Sequence, residues 1–374
     1  MAAEKETRCR GERVIRRAQG TESGPARRTT KKWKPNVPLG AQRMTECAGI
    51  TNKDNVVIAT DAETWPVARE LIEAIVKKEA AFTLLPVESF GKRPLTTLPP
   101  GLKDRIRSLN PTVSILAIAA VEGELGFRGP LAEFLMKTIK TRHIHAPTIT
   151  LETLGGQAMC ADYTEVARLT HAVYEIVKDA KEISVTHPNG TNLVIELDPK
   201  RLKWVPSDGQ YHKQGTGGNI PDGEVFGTPR NAEGILVTNC VGDFFGKKYG
   251  ILEDPLIVEI KNCRVIGVSC MNKTFEQEFW DYANRWRRVK RGRNTDRIGE
   301  VAFGTNTALT DLTGRPLEDE KAAGFHAAIG DPLSSHGTKA RWTVVPNQHC
   351  DIIIPGVTAA ADGRMIMENG EFLI

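Results

Sequence analysis

Apolar and polar positions follow two different textures along this chain. From about residue 45 to residue 181, short apolar runs alternate with stretches whose apolar residues fall three and four apart, the marks of buried strands and amphipathic helices. Residues 56–59 (VVIA) form one such run, ending at Thr60-Asp61, and residues 67–75 carry helical spacing. Residues 83–86 predict a second strand. Residues 114–120 (SILAIAA) predict a third, apolar almost throughout, as a strand buried on both faces is. A helix over 131–141, a short strand at Ile144-His145 and a helix over 164–180 complete an open α/β domain with a mostly parallel sheet.

After Asp179 the texture changes. Residues 182–187 and 193–197 read as a hairpin around Pro188-Asn189-Gly190-Thr191. Short strands follow at 234–237, 256–260, 265–269, 342–345 and 351–354, punctuated by Gly and Pro, with one helix over 273–289. Residues 182–374 therefore predict a β-rich, mostly antiparallel α+β domain. Residues 1–44 have almost no apolar periodicity and predict a disordered basic tail, either solvated or upstream of a start at Met44. Four glutamates within it argue against a mitochondrial transit peptide.

Composition sharpens this picture in three ways. The length, 374 residues, suits two domains, and no stretch approaches the roughly 20 apolar residues of a membrane span. The net charge of +4 is unevenly placed: residues 1–44 hold 12 of the 50 Lys+Arg and four of the 46 Asp+Glu, so they carry +8 and the rest −4. An acidic body argues against nucleic acid as a partner. The seven cysteines are odd in number and form no C-x-x-C pair, which argues against a disulfide framework or a thiolate zinc site and points to a reducing cytoplasm.

Candidate chemistry gathers in the second domain. His349-x-Asp351 opens an apolar run, and the two-residue period of a strand puts an imidazole and a carboxylate on one face, where they can share a divalent metal. The bland alternative is an exposed strand start. Glu224 and Glu300 each follow glycine and precede valine, and His326 lies downstream of Glu318-Asp319-Glu320-Lys321. Carboxylates can bridge two metals while imidazoles cap either side.

The segments N-I-P-x-G-E-V-F (219–226), I-G-E-x-A-x-G-T-N (298–306), L-E-D-E-K followed by H-x-A-x-G (317–330) and H-x-D (349–351) occur in that order. Together they resemble the thermophilic-type metalloaminopeptidases: aminopeptidase T, aminopeptidase S and the leucyl aminopeptidases. Asp162-Tyr163 and residues 188–191 extend the resemblance over about residues 45–374. It implies two divalent ions (zinc, cobalt or similar) held by Glu224, Glu300, His326, His349 and Asp351, with Glu320 as general base. It also implies a homodimeric exopeptidase acting on peptides or a related small amide. One departure stands out: family members carry a tyrosine shortly after the histidine matching His326, whereas this chain has Asp331-Pro332 there. Asp331 and His336 are the candidates for the missing group, against the plainer reading of a solvated loop.

The alternative is a mononuclear iron enzyme resembling the dihydroxypyridine ring-cleaving dioxygenases, which share this fold and need two histidines and one carboxylate. In them a histidine stands where this chain has Glu300, and the matches to Glu224 and His326 are lost. Hydrolysis is favoured here because all three residues are present, which also disfavours a non-catalytic descendant. Elsewhere, the basic run 285–293 reads as a helix end, and residues 215–218 as a loop without the lysine of a phosphate site. His143 and His145 read as structural or cleft-lining, His187 as a turn residue, and Asp61 as a strand-end group where α/β sheets often contact ligands, without the glycine fingerprint of a dinucleotide site.

Overall fold

A computed structural model of the chain describes residues 33–119, 121, 123–285, 294–332 and 348–374. The chain divides into two compact units. One ends at Ala167 and takes back Asp208–Asp222, and the other comprises Arg168–Ser207 and Gly223–Ile374. This division differs from the boundary at 181 read from sequence, since it falls within a continuous helix, Tyr163–Val177, whose second half packs with the second unit's core.

The first unit is an open α/β fold, as the alternating texture predicts. Its sheet is parallel throughout: β1 (Asn55–Thr60) is flanked by β2 (Ala81–Pro86) and β3 (Val113–Ala117), followed by β4 (Arg142–His145) and, at the edge, β8 (Gly217–Asn219). All five residues of β3 are buried, in keeping with its unbroken apolar run. The helices are α1 (Val37–Cys47), α2 (Trp65–Val76), α3 (Pro100–Leu109) and α4 (Leu125–Glu133). The helix expected over 131–141 starts at Leu125, and its later part, Phe134–Ile139, is π-helical.

The expected tail over residues 1–44 requires correction at its end. Residues 1–32 lie outside the described residues, but α1 begins at Val37, capped by Asn36, whose Oδ1 accepts the Leu39 N–H at 3.2 Å. Ala41, Met44 and Cys47 are buried along one side, and Gly155 O accepts both the Asn36 N–H and the Trp33 indole. Pro38 and Gly40 thin the apolar periodicity, so the amphipathic face is easily missed in the sequence.

The second unit is the predicted β-rich α+β domain, built around α5 (Tyr163–Val177) and α6 (Lys273–Asn284). Its eight-stranded sheet holds β5 (Glu182–Thr186), β6 (Asn192–Glu196), β10 (Asn231–Thr238), β12 (Leu256–Lys261), β13 (Arg264–Ser269), β17 (Thr358–Ala361), β18 (Arg364–Glu368) and β19 (Glu371–Phe372). The expected hairpin is β5–β6, and the expected strand over 342–345 lies outside the described residues. The six-stranded antiparallel sheet runs β11 (Cys240–Val241), β16 (His349–Pro355), β15 (Gly324–Gly330), β14 (Ile298–Gly304), β9 (Glu224–Gly227) and β7 (Val205–Ser207).

Pleating sorts the residues of that sheet. Val225, Val301, Phe303, Phe325, Ala327, Ile329, Cys350, Ile352 and Ile354 all enter one hydrophobic core shared with the larger sheet, α5 and α6. Phe303 stacks on Trp204 at 6.4 Å and meets Phe325 edge-on at 5.8 Å. The alternate positions face the other way, so Glu224, Glu300, His326, His349 and Asp351 share the opposite face.

A short helix, Pro316–Asp319, leads into Glu320-Lys321-Ala322, which crosses this face directly over Gly304. A Cβ at Gly304 would lie 2.0 Å from the Ala322 carbonyl and 2.8 Å from that of Glu320, so only glycine admits the crossing. Gly304→Ala is expected to cost about 1–3 kcal/mol by overpacking, read as a lower urea midpoint. An unchanged midpoint would show that the crossing does not press on the strand.

Candidate metal centre

Four neighbouring strands deliver the five side chains in register. Asp351, Ala328 and Glu300 form one row across β16, β15 and β14. His326 pairs with Ala302 in the next row, and Glu224 pairs with Gly304 in the row beyond. His349 lies opposite Gly330. The positions between the polar side chains are thus mostly Ala or Gly, which leaves room above the sheet for long side chains to converge. Gly299 is the extra residue of a bulge between Ile298 and Glu300, and a Cβ there would lie 2.6 Å from Gly330 O.

The convergence is close. His326 Nε2 lies 3.6 Å from Glu224 Oε2 and 3.5 Å from Glu300 Oε1. On the other side, His349 Nε2 lies 3.5 Å from Glu300 Oε2 and 3.3 Å from Asp351 Oδ1. Glu300 therefore stands between the two imidazoles and turns one oxygen towards each. Ligand atoms of Glu224, Glu300 and His326 all lie within 4.8 Å of one another, and all three residues are buried.

The donor set passes a test of fit for a divalent cation. His326 Nε2, Glu300 Oε2 and Asp351 Oδ1 are buried atoms with no hydrogen bond of acceptable geometry among the described residues. Such groups are costly unless something else satisfies them. Mixed imidazole and carboxylate donors suit zinc, cobalt, manganese or iron. His349 Nδ1 lies 3.2 Å from the Asp331 carbonyl and donates to it, so that in the neutral ring Nε2 carries the lone pair that faces the carboxylates. Asp331 thus contributes through its backbone, and His336 lies outside the described residues.

The electrostatics report crowded negative charge. Burial pushes the Glu320 carboxyl up to about 8, with Lys321 opposing and the Asp351 and Glu224 carboxylates reinforcing it. Burial would lower His326, but the nearby Glu300 carboxylate and the charges of Asp351 and Glu224 raise it to about 9. His349 is likewise raised well above its ordinary value against burial, chiefly by Asp351. Asp351, despite burial, is held well below the usual carboxylate range by His349 and His326.

Lys321 was not singled out from the sequence. It is only 1% exposed, and its Nζ lies 2.6 Å from Glu224 Oε1 and 2.7 Å from Glu320 Oε1. The one signal was a lysine closing an acidic run. Asp319 was missed as well: its carboxylate accepts the N–H groups of Thr313 and Gly314, both at 2.7 Å, and so ties down the turn before Glu320.

The other candidates find structural roles. Asp61 accepts the N–H groups of Thr64 and Ala119 and pairs with Arg93, which also holds Glu124. His143 is buried against Ser114, and burial keeps it and His145 neutral, at about 3 and about 4. His187 Nδ1 accepts the Asn189 N–H within the hairpin turn. Residues 217–219 form β8, and the basic run beyond Arg285 lies outside the described residues.

A family model described as NicX, 2,5-dihydroxypyridine 5,6-dioxygenase, matches residues 41–374. Among solved structures, the fold is similar to a 2,5-dihydroxypyridine dioxygenase from Pseudomonas putida KT2440, at 16% identity and a TM-score of 0.65, over 90% of this chain and 96% of that one. It is also similar to AmpT from Thermus thermophilus, at 14% identity and a TM-score of 0.60, over 90% of this chain and 99% of that one. No curated protein matches the sequence. The expected aminopeptidase-like architecture is thus supported as a fold, while the matching family model carries the dioxygenase name. Among the described residues no helix is long and apolar enough to cross a membrane.

A protonated imidazole cannot ligate, so metal uptake must displace protons from His326 and His349. Because His326 is raised to about 9 and His349 is raised as well in the metal-free protein, affinity is expected to rise with pH towards about 9, where His326 loses its proton. Calorimetric titration with zinc at pH 7, in buffers of different ionisation enthalpy, should register at least about one proton released per chain. A heat independent of the buffer would contradict this arrangement.

Proposed function

The chain belongs to the NicX family, whose name is that of a dioxygenase; on the strength of its own donor set we propose instead a metal-dependent hydrolase of amide bonds. Its substrate is a peptide, from which it removes the N-terminal residue, or a related small amide. Glu224, Glu300 and His326 would hold one divalent ion, and His349 and Asp351, with Glu300, would hold a second. The observation carrying this reading is Glu300, which turns one oxygen to each imidazole at 3.5 Å. When bound, two such ions lower the pKa of water to near neutrality and polarise a carbonyl oxygen.

The chain's own residues supply the proton handling. Glu320 sits beside Asp351 and Lys321, and burial raises its carboxyl to about 8 in the metal-free protein, a shift that neighbouring cations would oppose. A carboxylate so placed can accept a proton from an attacking water and return it to a leaving amine. The homodimer and the cytoplasmic setting belong to this proposal too, the latter in keeping with the six cysteines buried among the described residues.

The second reading is a mononuclear iron oxygenase that opens a dihydroxylated heteroaromatic ring. The name of the matching family favours it. His326 and His349 with Glu300 or Asp351 would supply the two-histidine, one-carboxylate set. It leaves two of the three converging carboxylates without a ligand's role, which is why hydrolysis ranks first.

Mass-spectrometric metal analysis followed by an amino-acid p-nitroanilide panel separates the two. Hydrolysis predicts about two divalent ions per chain, with Glu300→Gln losing both tight binding and turnover. Glu320→Gln should retain the ions while kcat/KM falls about 10²–10⁴-fold. One iron per chain, with oxygen consumed on 2,5-dihydroxypyridine and no amide cleaved, would overturn hydrolysis in favour of the second reading.

A further inference from the structure

Glu224 is anchored through one oxygen of its carboxylate and turns the other towards His326. Oε1 accepts from Lys321 Nζ at 2.6 Å, while Oε2 lies 3.6 Å from His326 Nε2, on the side where Glu300 Oε1 also points. The lysine itself is fixed. Its stem is buried to 1% exposure, its carbonyl accepts the Asn306 N–H at 2.9 Å, and its own N–H reaches Glu318 O at 3.1 Å. The preceding turn is tied down by Asp319, and the crossing over Gly304 leaves the segment no space to slide.

A carboxylate can bind a cation through one oxygen or chelate it through both. Chelation requires the two oxygens to lie about equally far from the cation, so the carboxylate must swing both of them to one side. An ammonium anchored on one oxygen opposes that rotation, because breaking a buried charge-assisted pair strands both partners away from water. We propose that Lys321 is a positioning residue that restricts Glu224 to one-oxygen ligation and so keeps a coordination position open beside His326. The same ammonium bridges to Glu320 Oε1 at 2.7 Å, which places the proton-handling carboxyl on the side of that open position. A catalytic metal site needs such a vacancy for water or substrate, whereas a closed site is structural.

This inference rests on the metal-centre reading, and the experiment keeps the two apart. The full chain is loaded with cobalt(II), whose visible absorption weakens as its coordination number rises. Wild type is expected to give the stronger bands of four- or five-coordinate cobalt. Lys321→Met should still bind cobalt, with weaker bands as Glu224 chelates, and with activity down about 10–100-fold. Lys321→Arg, which keeps a donor on Glu224, should restore the wild-type spectrum. Failure of wild type to take up cobalt would sink the metal centre itself. Uptake by both proteins with identical spectra would sink only the role of Lys321. Should the Met variant not fold, a crystal structure of zinc-loaded wild type decides the matter. One Glu224 oxygen at about 2.0–2.2 Å from zinc, with the other on Lys321, is expected. Chelation with Lys321 displaced would overturn the proposal.

Discussion

Side chains on a strand alternate between two faces, and four adjacent strands of the six-stranded sheet turn that rule into a site. On one face the rule produces a dry layer: Val301, Phe303, Phe325, Ala327, Ile329, Ile352 and Ile354 pack into the core. On the other it places Glu300, His326, Asp351, His349 and Glu224 above a floor that is largely Ala and Gly. The two faces depend on each other. A one-residue slip in any strand would put an ionisable group into the core and an isoleucine into the site, at a cost few proteins could absorb. The packing of the core therefore fixes the positions of the polar groups more firmly than any contact among those groups.

Those groups do not balance one another. Glu224, Glu300, Glu320 and Asp351 bring four carboxyls into one buried region, against one lysine and two imidazoles. In the absence of a cation the protein compensates by holding protons: His326 and His349 are more basic than usual, and Glu320 is less acidic. Divalent cations would take over that compensation. Proton uptake and cation uptake are thus alternative answers to the same excess of negative charge.

The sequence disclosed what depends on local period and withheld what depends on neighbours. H-x-D on one strand face, and glutamates following glycines at strand starts, are consequences of a two-residue repeat and could be read directly. That β9, β14, β15 and β16 lie side by side is a long-range fact, and only the resemblance to a known family linked their motifs beforehand. Lys321 escaped notice because its partner Glu224 is nearly a hundred residues away and a lysine in an acidic run ordinarily lies in water. The helix Val37–Cys47 was hidden for a different reason: a basic, proline- and glycine-bearing context masked a modest apolar face that Gly155 O helps to anchor.

Family membership and donor set meet at one position. The frame of strands is common to a dioxygenase and to AmpT at low sequence identity, so the frame by itself selects neither chemistry. Residue 300 is where a selection can occur. A glutamate there has two oxygens on separate lone pairs and can serve two cations at once, as its placement between His326 and His349 allows. A histidine at this place would turn one ring nitrogen to the site, and so would serve one. On this account the side chain at the centre of the sheet sets how many cations the donors can share, and the glutamate there is the physical ground for ranking hydrolysis first of the two proposed chemistries.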